Sequence, residues 1–308
     1  MSIKQQIEMG QLVCPKTKQK LSIVDDSRWL ENIDKTERYR LLDGRVPVLL
    51  NSRSAKEYVN EQEIMNEFYG HITKRNNTFL SKVKSELKKY SLPNRIKSIL
   101  TEAYRTESSE KAFFSLFLGL PSHALCISIG GGPSRDHPML FNLNIGPFVN
   151  VDVVGDAYSL PYADECVDVI LSSAVFEHLK DPVQAAKEMY RVLKPGRKAC
   201  IRTPFLQAYH GAPHHYQNYT ITGHAYLFES VGFQIVEAGV DVGPVYTIVN
   251  LVTVFIDEYF PYLLKKPIRY LWATVGLFIR PLDKYLGRKK NAYILASTTY
   301  VIVEKGID

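Results

Sequence analysis

Sulfur is scarce in this chain and widely spread. Four cysteines in 308 residues, Cys14, Cys126, Cys166 and Cys200, are too scattered for a disulfide framework, and three fall within or beside apolar, strand-like runs. That pattern fits free thiols in a reducing compartment. Residues 1–6 lack the apolar centre of an export signal. The longest apolar runs, residues 245–256 and 270–279, stop well short of the roughly 20 residues that cross a bilayer. A cytoplasmic protein is the expectation. Acids are locally scarce too, and the net charge of +6 is uneven. Residues 74–97 set eight Lys and Arg against Glu86 alone, and Asp283 is the only acid in residues 265–290. Such patches suit nucleic acid or anionic lipid. The first has almost none of the interleaved aromatics on which single-strand binders stack bases, so nucleic acid is disfavoured.

What the chain does have is an ordered block between residues 125 and 204. The run Cys126-Ile127-Ser128-Ile129 ends in Gly130-Gly131-Gly132, Val153-Val154 leads to Asp156-Ala157 and Leu160-Pro161-Tyr162, and residues 167–171 form a second buried run before Glu177-His178-Leu179. A helix then closes on Arg191-Val192-Leu193-Lys194-Pro195-Gly196, and a third strand ends at Thr203-Pro204. A strand ending in glycines lets backbone turn sharply and approach a ligand, because no Cβ intrudes. In open parallel sheets ligands sit outside the carboxyl ends of the strands. The glycines are thus a floor for a nucleotide-like cofactor, and Asp156 is placed to accept a hydrogen bond from an adenine amino group.

These motifs, in this order, resemble the class I S-adenosylmethionine-dependent methyltransferases, in the group that includes small-molecule and ubiquinone-type enzymes. The resemblance covers residues 122–240 and a last strand near 292–304. It implies an α/β, Rossmann-like, mostly parallel seven-stranded sheet with helices on both faces. S-adenosyl-L-methionine is the implied cofactor, with Gly130, Gly131, Gly132, Asn144, Asp156, Ala157 and Ser173 as its binding residues. Three features depart from the family pattern. The first loop reads Gly130-Gly131-Gly132-Pro133 where the family alternates glycine with other residues. Only eleven residues separate Gly132 from Asn144, with Pro133 and Pro138 among them. Proline costs about 3 kcal/mol inside a helix, so the first helix should be short or missing. Asn144 stands where an acid normally clamps the ribose, with Asp152 as the fallback should the strand register differ.

Residues 1–54 read as a small β-rich module. Asp43-Gly44 between apolar runs is a hairpin signal. The module resembles the zinc-ribbon-like activator subunits of methyltransferases, but Cys14 has no second thiol nearby, and a tetrahedral zinc site needs four ligands. No metal is expected there. Residues 55–118 read as a helical linker or cap, and 119–308 as the main domain with a helical insertion at 243–290. Within the insertion, residues 245–260 and 268–286 are expected helices separated by Pro261 and Pro267. Its aromatic, apolar and basic content suits peripheral membrane contact through 245–290, or a lid over an apolar substrate; a buried helical pair would read the same way.

Methyl transfer from a sulfonium needs alignment of nucleophile, methyl and sulfur. A hydroxyl acceptor also needs a base, for which histidine suits neutral pH. His210 is the expected base, with His178 beside the cofactor as the second candidate. The spacing of His210, His214 and His215 invites a metal reading, against which stands the lack of carboxylates in that loop; no metal is expected at the site. The segment around them resembles a family signature His-x-x-Pro-x-Asp-Tyr-x-Arg-x-Thr, with His215 replacing the acid and Asn218 the arginine. The acceptor is expected to be a small molecule, a sugar or a lipid-linked group. A methyltransferase-like scaffold without catalysis is the alternative, motivated by the glycine loop and Asn144.

Overall fold

The computed structural model describes residues 1–25, 28–51, 103–132, 134–211 and 214–307. Most of the predicted cap at 55–118 lies outside them. One sheet of eleven strands runs through the described chain, in the order β1-β2-β3-β4-β7-β6-β5-β8-β9-β11-β10.

The central strands are β5 (Cys126–Ile129), β6 (Leu140–Asn144), β7 (Val153–Gly155), β8 (Val167–Ser173) and β9 (Leu193–Pro204). They pair in parallel. β10 (Gln234–Val242) and β11 (Thr298–Glu304) complete that edge, with β11 antiparallel to both neighbours. The segment β7-β6-β5-β8-β9-β11-β10 is the expected seven-stranded sheet. β5 and β8 read as continuous apolar runs because both faces of the sheet are covered; all four residues of β5 are buried. Between β5 and β6 the described residues form no helix, as the two prolines require.

The sheet is larger than the sequence implied. The N-terminal strands, expected as a module of their own, extend it. β1 (Leu21–Val24), β2 (Trp29–Asn32), β3 (Arg38–Leu42) and β4 (Val46–Leu49) form an antiparallel meander. β4 then pairs in parallel with β7, Val48 beside Val154 and Leu49 beside Gly155. The β3–β4 turn has Asp43 and Gly44 both at positive φ, 49° and 63°, the left-handed pair that a tight hairpin needs. Lys18 reinforces the join: its Nζ donates to Leu160 O at 3.1 Å and pairs with Glu188 at 3.3 Å. Cys14 Sγ lies 3.2 Å from Tyr39 Oη and accepts from Thr17 N at 3.3 Å. The module's fold also includes a helix the sequence reading missed, α1 (Ile3–Glu8), closed by a reciprocal Ser2–Gln5 capping box.

Four further helices flank the sheet: α2 (Glu107–Ser115), α3 (Pro182–Val192), α4 (Ile221–Glu229) and α5 (Pro244–Tyr259). α6 (Tyr262–Ile279) starts earlier than expected and contains Pro267. The proline sits in its second turn, where it removes one i→i−4 donor from a largely exposed helix. A short α7 (Asp283–Leu286) follows, and residues 292–295 are a 3₁₀ turn rather than the start of β11.

Candidate functional site

The carboxyl ends of β7, β6, β5 and β8 stand side by side and carry all the expected cofactor residues. Gly130 has φ +75°, donates to Leu143 O at 2.8 Å, and a Cβ there would lie 2.2 Å from Val175 Cγ2. At Gly131 a Cβ would meet Asn142 Oδ1 at 2.5 Å, whereas at Gly132 it would meet nothing within 4 Å. The first two glycines are therefore demanded by the protein's own packing, and the third leaves open space for a ligand to approach the backbone. Asn144 Nδ2 donates to Gly131 O at 3.0 Å, which fixes its amide and turns the side-chain oxygen to acceptor use. Asp156 caps its own turn by accepting from Tyr158 N at 2.9 Å. Ala157 packs against the core, and Ser173 ends β8.

Asp152, the fallback clamp, is engaged elsewhere. It accepts from Asn142 N at 2.7 Å and pairs with Arg135 at 2.8 Å. Asn142 was missed by sequence reasoning: its Nδ2 donates to Asn150 O at 3.0 Å and reaches Ser134 O and Gly132 O at 3.3 and 3.4 Å. One amide thus braces the glycine turn from below. Only its position inside β6, just before Asn144, hinted at this.

Beside β8 and β9 the rim opens into a cleft of about 600 Å³, lined by Arg105, Ser173, Glu177, Gln207, His210 and Asp241 among others. Ala174, at the end of β8, adopts φ +55°, a strained conformation for a residue with a Cβ. The chain then makes a 3₁₀ turn, Phe176–His178. The loop after β9 lies over that turn: Tyr216 N donates to Glu177 O at 2.8 Å, and Gln217 Nε2 donates to Phe176 O and Leu179 O at 3.0 and 2.8 Å.

This stacking overturns the expectation that no carboxylate stands near the histidine loop. Adjacent parallel strands end side by side, so Glu177 from the first loop lies under His210 from the second. Glu177 Oε1 is 3.8 Å from Nε2 of both His178 and His210. The Glu177 side chain is 1% exposed, neither oxygen has a hydrogen-bond partner among the described residues, and burial pushes its pKa up to about 7. Burial also holds His178 below the ordinary histidine value. His215 and Asn218, the exchanged signature positions, bond to each other at 2.7 Å, and His215 Nδ1 accepts from His210 N at 3.2 Å. That pair braces the loop.

A second carboxylate, Asp241, closes the cleft from β10. It pairs with the buried Arg202 at 3.2 Å and accepts from Ser109 Oγ. Arg202 lies over the Phe113 ring at 4.9 Å.

The methyltransferase domain family matches residues 141–201. An uncharacterized methyltransferase of Mycobacterium sp. strain KMS is 44% identical over 98 residues, covering 26% of this chain and 39% of the relative. One from Mycobacterium tuberculosis is 30% identical over 119 residues, covering 30% of this chain and 46% of the relative. This chain thus spans less than half the length of these curated relatives. Among solved structures, phosphoethanolamine N-methyltransferase 2 of Haemonchus contortus with S-adenosyl-L-methionine aligns with TM-score 0.41 at 15% identity, over 65% of this chain and 53% of that chain. Among the described residues no helix is long and apolar enough to cross a membrane. The matched residues 141–201 fall on β6, β7, β8 and most of β9, within the parallel part of the sheet, and the match is to a methyltransferase domain.

Proposed function

We propose that this protein transfers a methyl group from S-adenosyl-L-methionine to an acceptor held in the cleft beside β8 and β9. The observation that carries this reading is the rim itself. Gly130, Gly131 and Gly132, braced by Asn142 and Asn144, turn with open space beside Gly132, and β8, paired with β5, leads through Ser173 to a cleft beside a carboxylate and two imidazoles. The cofactor would supply an electrophilic methyl on a sulfonium that leaves as a neutral thioether. Gly131 and Gly132 would give it backbone contact, Asn144 Oδ1 would accept from a ribose hydroxyl, and Asp156 would accept from the adenine amino group. The protein's part is alignment. Ser173 lies between the two halves, so acceptor and methyl meet over the end of β8.

The reading predicts calorimetric binding of S-adenosyl-L-methionine. Gly130→Ala, which forces a Cβ into Val175 and holds a non-glycine in the left-handed region at a cost of about 1–2 kcal/mol of stability, should displace the turn and weaken binding. No heat from the wild-type protein at millimolar ligand would favour a scaffold without catalysis.

The acceptor we propose is lipid-linked, met at an anionic membrane surface. α6 buries only Gly276 among its residues, while Leu263, Tyr270, Leu271 and Phe278 are each more than two-thirds exposed. Lys265, Lys266 and Arg269 share that helix, a mixture that suits insertion at a headgroup boundary. Co-sedimentation with vesicles containing phosphatidylserine, and its loss on Leu263→Asp with Leu271→Asp, tests it. Equal recovery with and without vesicles removes the membrane from the proposal.

A further inference from the structure

We propose that Glu177, His178 and His210 form a binding site for a divalent transition-metal ion of the zinc class, open to the cleft. One donor atom from each of the three lies within 4.8 Å of the others. The tautomers make this more than proximity. A backbone carbonyl can only accept, so His178 Nδ1 must donate to His214 O, and His210 Nδ1 must donate to Ala208 O at 3.1 Å. Each ring then carries its proton on Nδ1 and its lone pair on Nε2. Both Nε2 atoms face Glu177 Oε1 at 3.8 Å.

When Glu177 is ionised, three acceptors converge with no donor between them. Glu177 is buried and its two oxygens are unpartnered among the described residues, an arrangement that costs free energy until a cation arrives. Imidazoles pinned by carbonyls at the far nitrogen are the usual support for histidine ligands. Ion bonds of about 2.0–2.2 Å place tetrahedral ligands roughly 3.3–3.5 Å apart, close to the 3.8 Å separations found. The 42%-exposed His210 side chain can supply the remaining movement.

Two imidazoles and one carboxylate favour zinc-class ions over magnesium or calcium, which take oxygen-rich sites. With three protein ligands a position stays open, and Glu177 and His210 both line the cleft. His215 is not a ligand, because both its ring nitrogens are engaged. The site reassigns His178 and His210 from proton acceptance to coordination. An ion there would polarise an acceptor hydroxyl seated in the cleft.

The test uses the full chain, tag removed and stripped with chelator, and adds no S-adenosyl-L-methionine, so its outcome is independent of the methyltransferase reading. Zinc binding is measured by equilibrium dialysis with elemental analysis, and cobalt by its visible absorption. One equivalent per chain is expected. Glu177→Gln and His178→Ala should each weaken binding by more than the roughly 10–100-fold seen on losing an outer-shell partner. His215→Ala, a brace, should do less. Thermal melts of the metal-free variants show that each is folded. No stoichiometric binding, or binding unchanged in folded Glu177→Gln, overturns the proposal and leaves a shared proton as the group that joins the three side chains.

Discussion

Two carboxylates line the same cleft and are both shut away from solvent, yet their surroundings are opposite. Asp241 has a guanidinium at 3.2 Å, a serine hydroxyl, and Arg105 at 4.0 Å. Glu177 has two imidazoles facing it with their lone pairs and no donor. The first carboxylate has its countercharge within the folded chain, although Arg202 Nε and Nη1 make no hydrogen bond among the described residues. The second gains one only with something added. Burial alone therefore does not distinguish the two carboxylates; the presence or absence of a countercharge does.

The contrast can be broken most forcefully at Asp241. Asp241→Ala strands the fully buried Arg202 charge, and losing one partner of such a pair costs about 3–5 kcal/mol. Urea unfolding should register it, and a loss below about 1 kcal/mol would mean that Arg202 finds another anion. A smaller effect concerns a buried histidine bonded at one ring nitrogen only, its Nε2 having no partner among the described residues. His224 is fully buried, its Nδ1 within 3.2 Å of Thr203 Oγ1 and 3.1 Å of Thr299 Oγ1, and burial pushes its pKa down to about 3. The unfolded chain takes up that proton near 6.5, so between 6.5 and 3 it binds more protons than the folded one. Stability from this residue is whole above 6.5 and falls as pH drops, by at most about 1.4 kcal/mol per pH unit. Urea midpoints from pH 7 to 5 should slope less in His224→Gln than in wild type. Smallest is the change expected in the metal-free fold on Glu177→Gln. Replacing an unpartnered buried carboxyl group should leave the melting temperature unchanged or higher. A large drop would show that Glu177 is held by partners after all.

The strands were legible where one residue's surroundings are fixed by its neighbours in sequence. The buried runs of β5 and β8 and the Asp43-Gly44 turn are of this kind, as is the absence of a helix among the described residues between β5 and β6. The Glu177–His210 contact was not, because it spans two loops and depends on β8 and β9 ending together. The histidine spacing was noticed, but its carboxylate stood in another motif. Asn142 was hidden similarly, since its role is set by the carbonyls of a turn folded back over it. α1 was readable from Ser2 and Gln5 and was overlooked, being too short to show periodicity. Pro267 argued for a break that an exposed helix could absorb without one.

The parallel pairing of β4 with β7 has one more consequence. In a class I sheet without this meander, β7 would be an outermost strand with bare amides and carbonyls, a template for other chains to add to. Here the N-terminal strands occupy that position. Removing residues 1–51 would therefore do more than discard an appendage. It would leave the remaining domain prone to aggregate through a newly exposed edge, however intact its rim.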